Sequence, residues 1–131
     1  MSTGSSSHLV LALWVTVAGG LGALARTFVN DAIAHRVRSD FPWGILSVNL
    51  TGSLLLGLLT GLAWYHGLSA DALTVGGVGL CGGLTTWSTA IWESFQLARL
   101  RLFTQATLYT LLGLAVAVGA AAAGIGLAAL V

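Results

Sequence analysis

Thr74-Val75-Gly76-Gly77-Val78-Gly79-Leu80-Cys81-Gly82-Gly83-Leu84-Thr85-Thr86-Trp87-Ser88-Thr89 is the stretch that decides how this chain folds. Five glycines followed by hydroxyl residues, inside a segment apolar enough for a lipid core, predict a helix that breaks near Gly82 to Thr86. A break frees carbonyl and N–H groups, and hydrocarbon supplies no partners for them. Irregular backbone at that depth is tolerated where it lines a cavity or holds an ion. Free carbonyl oxygens suit a hard cation, and free N–H groups at the start of a half-helix suit an anion. Glycine-mediated close packing with no ion is the other reading of the same residues.

The rest of the chain places that stretch in a membrane. Of its 131 residues 56% are hydrophobic and 7% charged, with a mean hydropathy of +0.93. A soluble domain carries roughly a quarter charged residues, so these residues cannot build an ordinary water-facing surface. Each span needs about 20 mostly apolar residues. Spans fit at about residues 9–29, 43–65, 72–97 and 102–131, making one domain over 1–131. The fold class is therefore an all-α membrane protein of four transmembrane helices, the third interrupted. The single Cys81 cannot form an intrachain bridge, and a net charge of +1 leaves no footprint for nucleic acid. Met1 to His8 is rich in Ser and lacks Lys and Arg, a poor signal-peptide start, so the first span is expected to be retained.

Asp31, Arg36, Arg38 and Asp40 are expected in a first loop, closed by Pro42 at a helix start, with Arg99 and Arg101 in the third loop. All five arginines, Arg26 included, then fall on one side of the membrane, which the positive-inside rule makes cytoplasmic. Both termini are expected on the opposite side. Trp14, Trp43, Trp64, Tyr65 and Trp92 mostly fall near span ends, at headgroup level. Gly57 and Gly61, and the stripe Gly113, Ala117 and Ala121, have the spacing of close helix–helix contacts, within one chain or between subunits. Four short helices enclose little space, so a dimer is expected.

The polar residues inside the spans are few. Asn49 sits in the middle of the second, with Ser53 one turn on and Thr60 further along. An amide in lipid is a functional candidate by default; its plain alternative is an interhelical hydrogen bond. Thr85, Ser88 and Thr89 add hydroxyls after the glycines, and Tyr109 a phenol in the last span. Together they form a neutral, donor-rich set without a base, which suits passage of an anion. Arg26 is expected to snorkel to the interface, and Glu93 to sit at the interface rather than mid-membrane. His8, His35 and His66 are too scattered to ligate a metal.

At this point the chain resembles the Fluc, or CrcB, family of fluoride channels along nearly its whole length. The matching pieces are Gly19-Gly20-Leu21-Gly22-Ala23-Leu24-Ala25-Arg26, Val48-Asn49-Leu50-Thr51-Gly52-Ser53, and Gly79 through Thr89 followed by Glu93. The resemblance implies an antiparallel, dual-topology-type dimer in a prokaryotic inner membrane, enclosing two pores for passive fluoride efflux from the cytoplasm. It implies a structural sodium ion on the backbone carbonyls of Gly82 and Thr85. It places Asn49, Trp87, Ser88, Thr89 and Tyr109 along the fluoride pathway, with Arg26, Ser53 and Glu93 as further polar residues. Fluoride is small and strongly hydrated, so amide, hydroxyl and aromatic-edge donors must replace its water. The family's two pore phenylalanines are matched here by Trp87 and Ala90, and Gly113 and Ala117 stand where hydroxyls are common. With the one-sided arginines, this suggests pairing with itself or with an oppositely oriented paralogue that supplies pore aromatics.

Two alternatives belong to other classes. A small multidrug-type exporter has a similar size but depends on a glutamate in its first span, where this chain has none. A non-conducting partner subunit of a heterodimeric channel would keep the fold without lining a pore. No base, nucleophile or cofactor motif converges, so an enzyme is not expected.

Overall fold

A computed structural model describes residues 3–131, so the reading of Met1 to His8 as a retained start lies partly outside the described residues. The described chain is helical almost throughout. α1 spans Thr3–Arg36 and α2 Trp43–His66; α3, Ala70–Leu73, runs directly into a π-helical stretch, Thr74–Cys81, and then α4, Gly82–Leu84. α5 covers Trp87–Arg99 and α6 Phe103–Ala128. α1, α2 and α6 are each long and apolar enough to cross a membrane. The interrupted element from α3 to α5 runs between the same two ends of the bundle, so four traverses fit.

α1 is longer than its apolar span. Asp31 and Arg36, expected in a loop, lie on its final turns together with His35. A 34-residue helix is roughly 50 Å long, well beyond the ~30 Å hydrocarbon core. Nothing in its sequence stops it before Ser39 and Pro42, and His35 and Arg36 suit the negative end of its dipole. α2 starts just after Pro42 and ends at Gly67, whose φ of 69° is the left-handed conformation that glycine adopts without strain. The loops of residues 37–42 and 100–102 meet at one end of the bundle. Phe41 and Leu102 pack there on Ile45, Leu46, Leu97 and Tyr109. At the other end the His66 ring, 2.8 Å from the Ala128 carbonyl, ties α2 to α6. This layout puts the first and third loops on one side.

Two glycine seams hold the helices together. α2 packs most extensively on α6. A Cβ on Gly57 would collide with the Ala121 carbonyl, one on Gly61 with Ala128, and one on Gly124 with the Leu54 carbonyl. Gly57, Gly61 and Ala121 therefore serve contact within one chain, whereas Gly113 and Ala117 border a cavity. The second seam joins α1 to the π-helical stretch and α4. A Cβ on Gly22 would strike the Leu80 carbonyl and the Leu84 nitrogen, and one on Gly83 would strike the Gly19 carbonyl. Lipid gives apolar side chains little reason to associate, so close backbone approach supplies the attraction instead.

The same geometry separates two substitutions of identical chemistry. Gly83→Ala pushes a methyl into a backbone carbonyl that cannot yield and should cost about 1–3 kcal/mol. Gly20→Ala meets nothing within 4 Å and, with alanine's better helix propensity, should be neutral or slightly stabilising. Thermal unfolding of the two variants in detergent reads the difference; equal melting would contradict the seam.

Candidate functional site

The break falls at Thr85 and Thr86, the last two residues of the window anticipated from the glycines. Both are extended, with φ and ψ of −83° and 158° at Thr85 and −152° and 125° at Thr86. Their four main-chain polar groups are all partnered. The Thr85 N–H donates to the Cys81 carbonyl at 2.9 Å, and the Arg26 Nη1 donates to the Thr85 carbonyl at 3.1 Å. The Thr86 N–H donates to Asn49 Oδ1 at 2.8 Å, while Asn49 Nδ2 donates to the Thr86 carbonyl at 3.0 Å. Asn49 thus pairs with Thr86 as a neighbouring strand would. This fixes which way round its amide sits and leaves one Nδ2 proton unspent.

Arg26 is corrected by this geometry. It does not snorkel outward: its half-buried guanidinium reaches inward to the break. An arginine costs about 2.5–3.5 kcal/mol at the centre of a span on insertion scales, and less toward a span end, where Arg26 lies. A hydrogen bond to a charged group returns about 1.5–3 kcal/mol, so the Thr85 carbonyl offsets most of that cost. Glu93 is half-buried on α5 and forms no ion pair among the described residues.

α5 begins with a cap built from Thr86, whose Oγ1 accepts from the Thr89 N–H at 3.2 Å and bonds the Thr89 hydroxyl at 3.0 Å. The N–H groups of Trp87 and Ser88 belong to the first helical turn and have no intrahelical partner. That positive end opens on a cavity of about 310 Å³ walled by α2, α5, α6 and the glycine stretch.

Asn49, Ser53, Trp87 and Tyr109 all line this cavity, as do Gly82 and Thr85. Ser88 and Thr89 do not: the wall of α5 is Trp87, Ala90, Ile91 and Ser94, one helical face, and Ser88 and Thr89 fall outside it. Gly113 and Ala117 leave the α6 wall bare along part of its length. The Tyr109 hydroxyl is buried and has no hydrogen-bond partner among the described residues. Its ring is held edge-on by Phe41, with centroids 5.5 Å apart.

Reading by residue type missed two cavity residues, Ser94 and Thr110, whose hydroxyls lie 2.7 Å apart. The signal was available: Ser94 is seven residues after Trp87, two turns along the same face. The cavity carries neutral donors and a helix N-terminus, and no acidic side chain lines it. Such a lining offers hydrogen-bond donors in place of an anion's water.

The family described as CrcB-like protein, Camphor Resistance (CrcB), matches residues 13–125. A protein of Leifsonia xyli subsp. xyli named fluoride-specific ion channel FluC 1 is 40% identical over 121 residues, covering 92% of this chain and 88% of that one. Another FluC 1, from Thermobifida fusca, is 42% identical over 113 residues, covering 86% and 91% of the two chains. A FluC 2 from Cutibacterium acnes is 47% identical over 87 residues, covering 66% and 71%.

The reciprocal bond at the break sets a test. Asn49→Leu keeps an apolar side chain of similar size but strands the N–H and carbonyl of Thr86, at about 1–3 kcal/mol per group. Equilibrium unfolding in detergent should show a loss of about 2–6 kcal/mol. An unchanged midpoint would mean that water already serves Thr86.

Proposed function

The chain belongs to the CrcB family, and from that premise we propose that it is a subunit of a fluoride-selective channel that lets fluoride leave the cytoplasm passively. The observation that carries this reading is the cavity itself. Asn49, the Trp87 ring, Tyr109 and the open N-terminus of α5 converge there without any acidic group. Fluoride is the halide that loses most on dehydration, and a ring of fixed N–H and O–H donors is what replaces its water. Asn49 offers its unspent Nδ2 proton, Trp87 its ring edge and indole N–H, and Tyr109 its unpartnered phenol. Ser88 and Thr89, off the cavity wall, would act at the mouth of a pore completed by a second subunit.

Two copies inserted in opposite directions, or this chain and an oppositely oriented paralogue, would form the channel. Trp87 is 64% exposed although it borders the cavity, as expected of a ring that a second chain covers. A structural sodium ion fits the break. The helix interruption strips the Gly82 carbonyl of its usual N–H partner, and Gly82 is exposed. The Thr85 carbonyl keeps one lone pair beyond the one given to Arg26. One chain offers two such oxygens, and a hard cation takes about six, so the ion belongs between subunits. When bound, it would offset part of the cost of bringing an anion to mid-membrane. The expected location is the inner membrane of a bacterium, as a multi-pass protein.

Liposomes loaded with fluoride and carrying the purified chain test the reading with a fluoride electrode. Rapid downhill efflux without an imposed pH gradient, and none of chloride, is the expected result. Efflux that appears only when a paralogue is co-reconstituted assigns the mixed pair. Silence in both settings would overturn the channel. Replacing sodium by N-methylglucamine throughout purification should lower the melting temperature of the dimer; a salt-independent melt would remove the ion from the assignment.

A further inference from the structure

We propose that Ser94 is an additional anion-binding station in the pathway, with Thr110 as the acceptor on which its hydroxyl proton rests when no anion is present. The proposal builds on the fluoride reading above and concerns where along the cavity the ion next finds a donor after the break. On the α5 wall the sequence of side chains is Trp87, Ala90, Ile91, Ser94; on the α6 wall, Gly113 and Ala117 face the same space. An anion leaving Asn49 and the first turn of α5 therefore crosses a stretch where neither wall donates. The donors beyond that stretch are Ser94 and Tyr109.

The direction of the protons follows from the hydrogen-bond geometry. Thr110 Oγ1 lies 2.9 Å from the Ala106 carbonyl and donates to it. A threonine hydroxyl has one proton and two lone pairs. With that proton committed to a carbonyl, the proton in the 2.7 Å Ser94–Thr110 contact is the serine's. A hydroxyl rotor is free to turn, so the Ser94 O–H can leave Thr110 and point at an anion in the cavity. Thr110 does not lose its own bond when this happens. The Tyr109 hydroxyl, buried in the same cavity and without a partner among the described residues, supplies a second donor from α6. Glu93, the residue before Ser94, is not part of the cavity wall, but its carboxylate lies within electrostatic reach of Tyr109.

An ordinary tie between two membrane helices would use the same pair of residues, and the two roles differ in symmetry. A tie loses as much when either partner is removed. A donor station loses its function only when the donor goes. Ser94→Ala should lower fluoride efflux about tenfold, the effect of one lost hydrogen bond to a charged ion, while Thr110→Val leaves the rate within about twofold of the parent. Ser94→Thr, which keeps a hydroxyl, should restore the rate.

The measurement is fluoride-electrode efflux from liposomes, in whichever assembly the unsubstituted chain conducts, with each variant first shown to elute as the parent does. If Ser94→Ala does not elute normally, Ser94→Cys, close in shape with a much weaker donor, reads the same step and should be slowed likewise. Equal losses in Ser94→Ala and Thr110→Val, or an unslowed Ser94 variant, would overturn the station and leave the channel standing. An unsubstituted chain that conducts no fluoride in any assembly would overturn the channel and the station together.

Discussion

The pairing of one side-chain amide with one peptide unit organises this molecule. Asn49 and Thr86 exchange two hydrogen bonds across 37 residues of chain, and through them a broken helix becomes tolerable in a medium without water. Remove that exchange and Thr86 is left with a bare N–H and a bare carbonyl, a state that only continued helix would relieve. Continued helix would erase the second N-terminus at Trp87, and with it the positive end that faces the cavity. The oxygen that stabilises the fold is thus on the same amide that keeps one Nδ2 proton unspent beside the cavity.

Arg26 completes the arrangement from the opposite side. Its guanidinium and the Asn49 amide approach consecutive carbonyls of the same interruption, one from α1 and one from α2. The break is therefore fastened to both neighbouring helices. The glycine seams make this possible, because Gly22 and Gly83 bring α1 close enough for the arginine to reach. Gly52 likewise makes room on α2 for the Thr85 methyl. Small residues determine the distances, and polar residues use them.

Much of this was legible beforehand. Helix number, the site of interruption, Asn49 and Tyr109 as polar residues of the interior, and the sidedness of the loops followed from hydropathy, glycine spacing and arginine placement. Three things were not. The length of α1 was hidden because a span is read from apolar residues, whereas a helix continues through Asp31 and Arg36 until something stops it. The direction of Arg26 was misread because snorkelling is the usual resolution for a charge near a span end, and the competing partner is a main-chain carbonyl that has no letter in the sequence. The π-helical winding of Thr74–Cys81 left no trace in the apolar pattern, since glycine and valine fill a wide helix and a narrow one alike. Which of Trp87, Ser88 and Thr89 meets the cavity is set after it, by the extended residues Thr85 and Thr86 from which α5 starts anew.

The long separation between Asn49 and Thr86 also has a meaning in time. Ribosomes add about 5–20 residues each second, so the peptide unit that satisfies Asn49 is made roughly 2–7 s after it. α6, which carries the other half of the α2 seam, emerges later still. For that interval α2 enters the bilayer with a solitary amide and an unfilled glycine groove. The nascent chain must shelter both, in the insertion machinery or against α1, until its own later helices arrive.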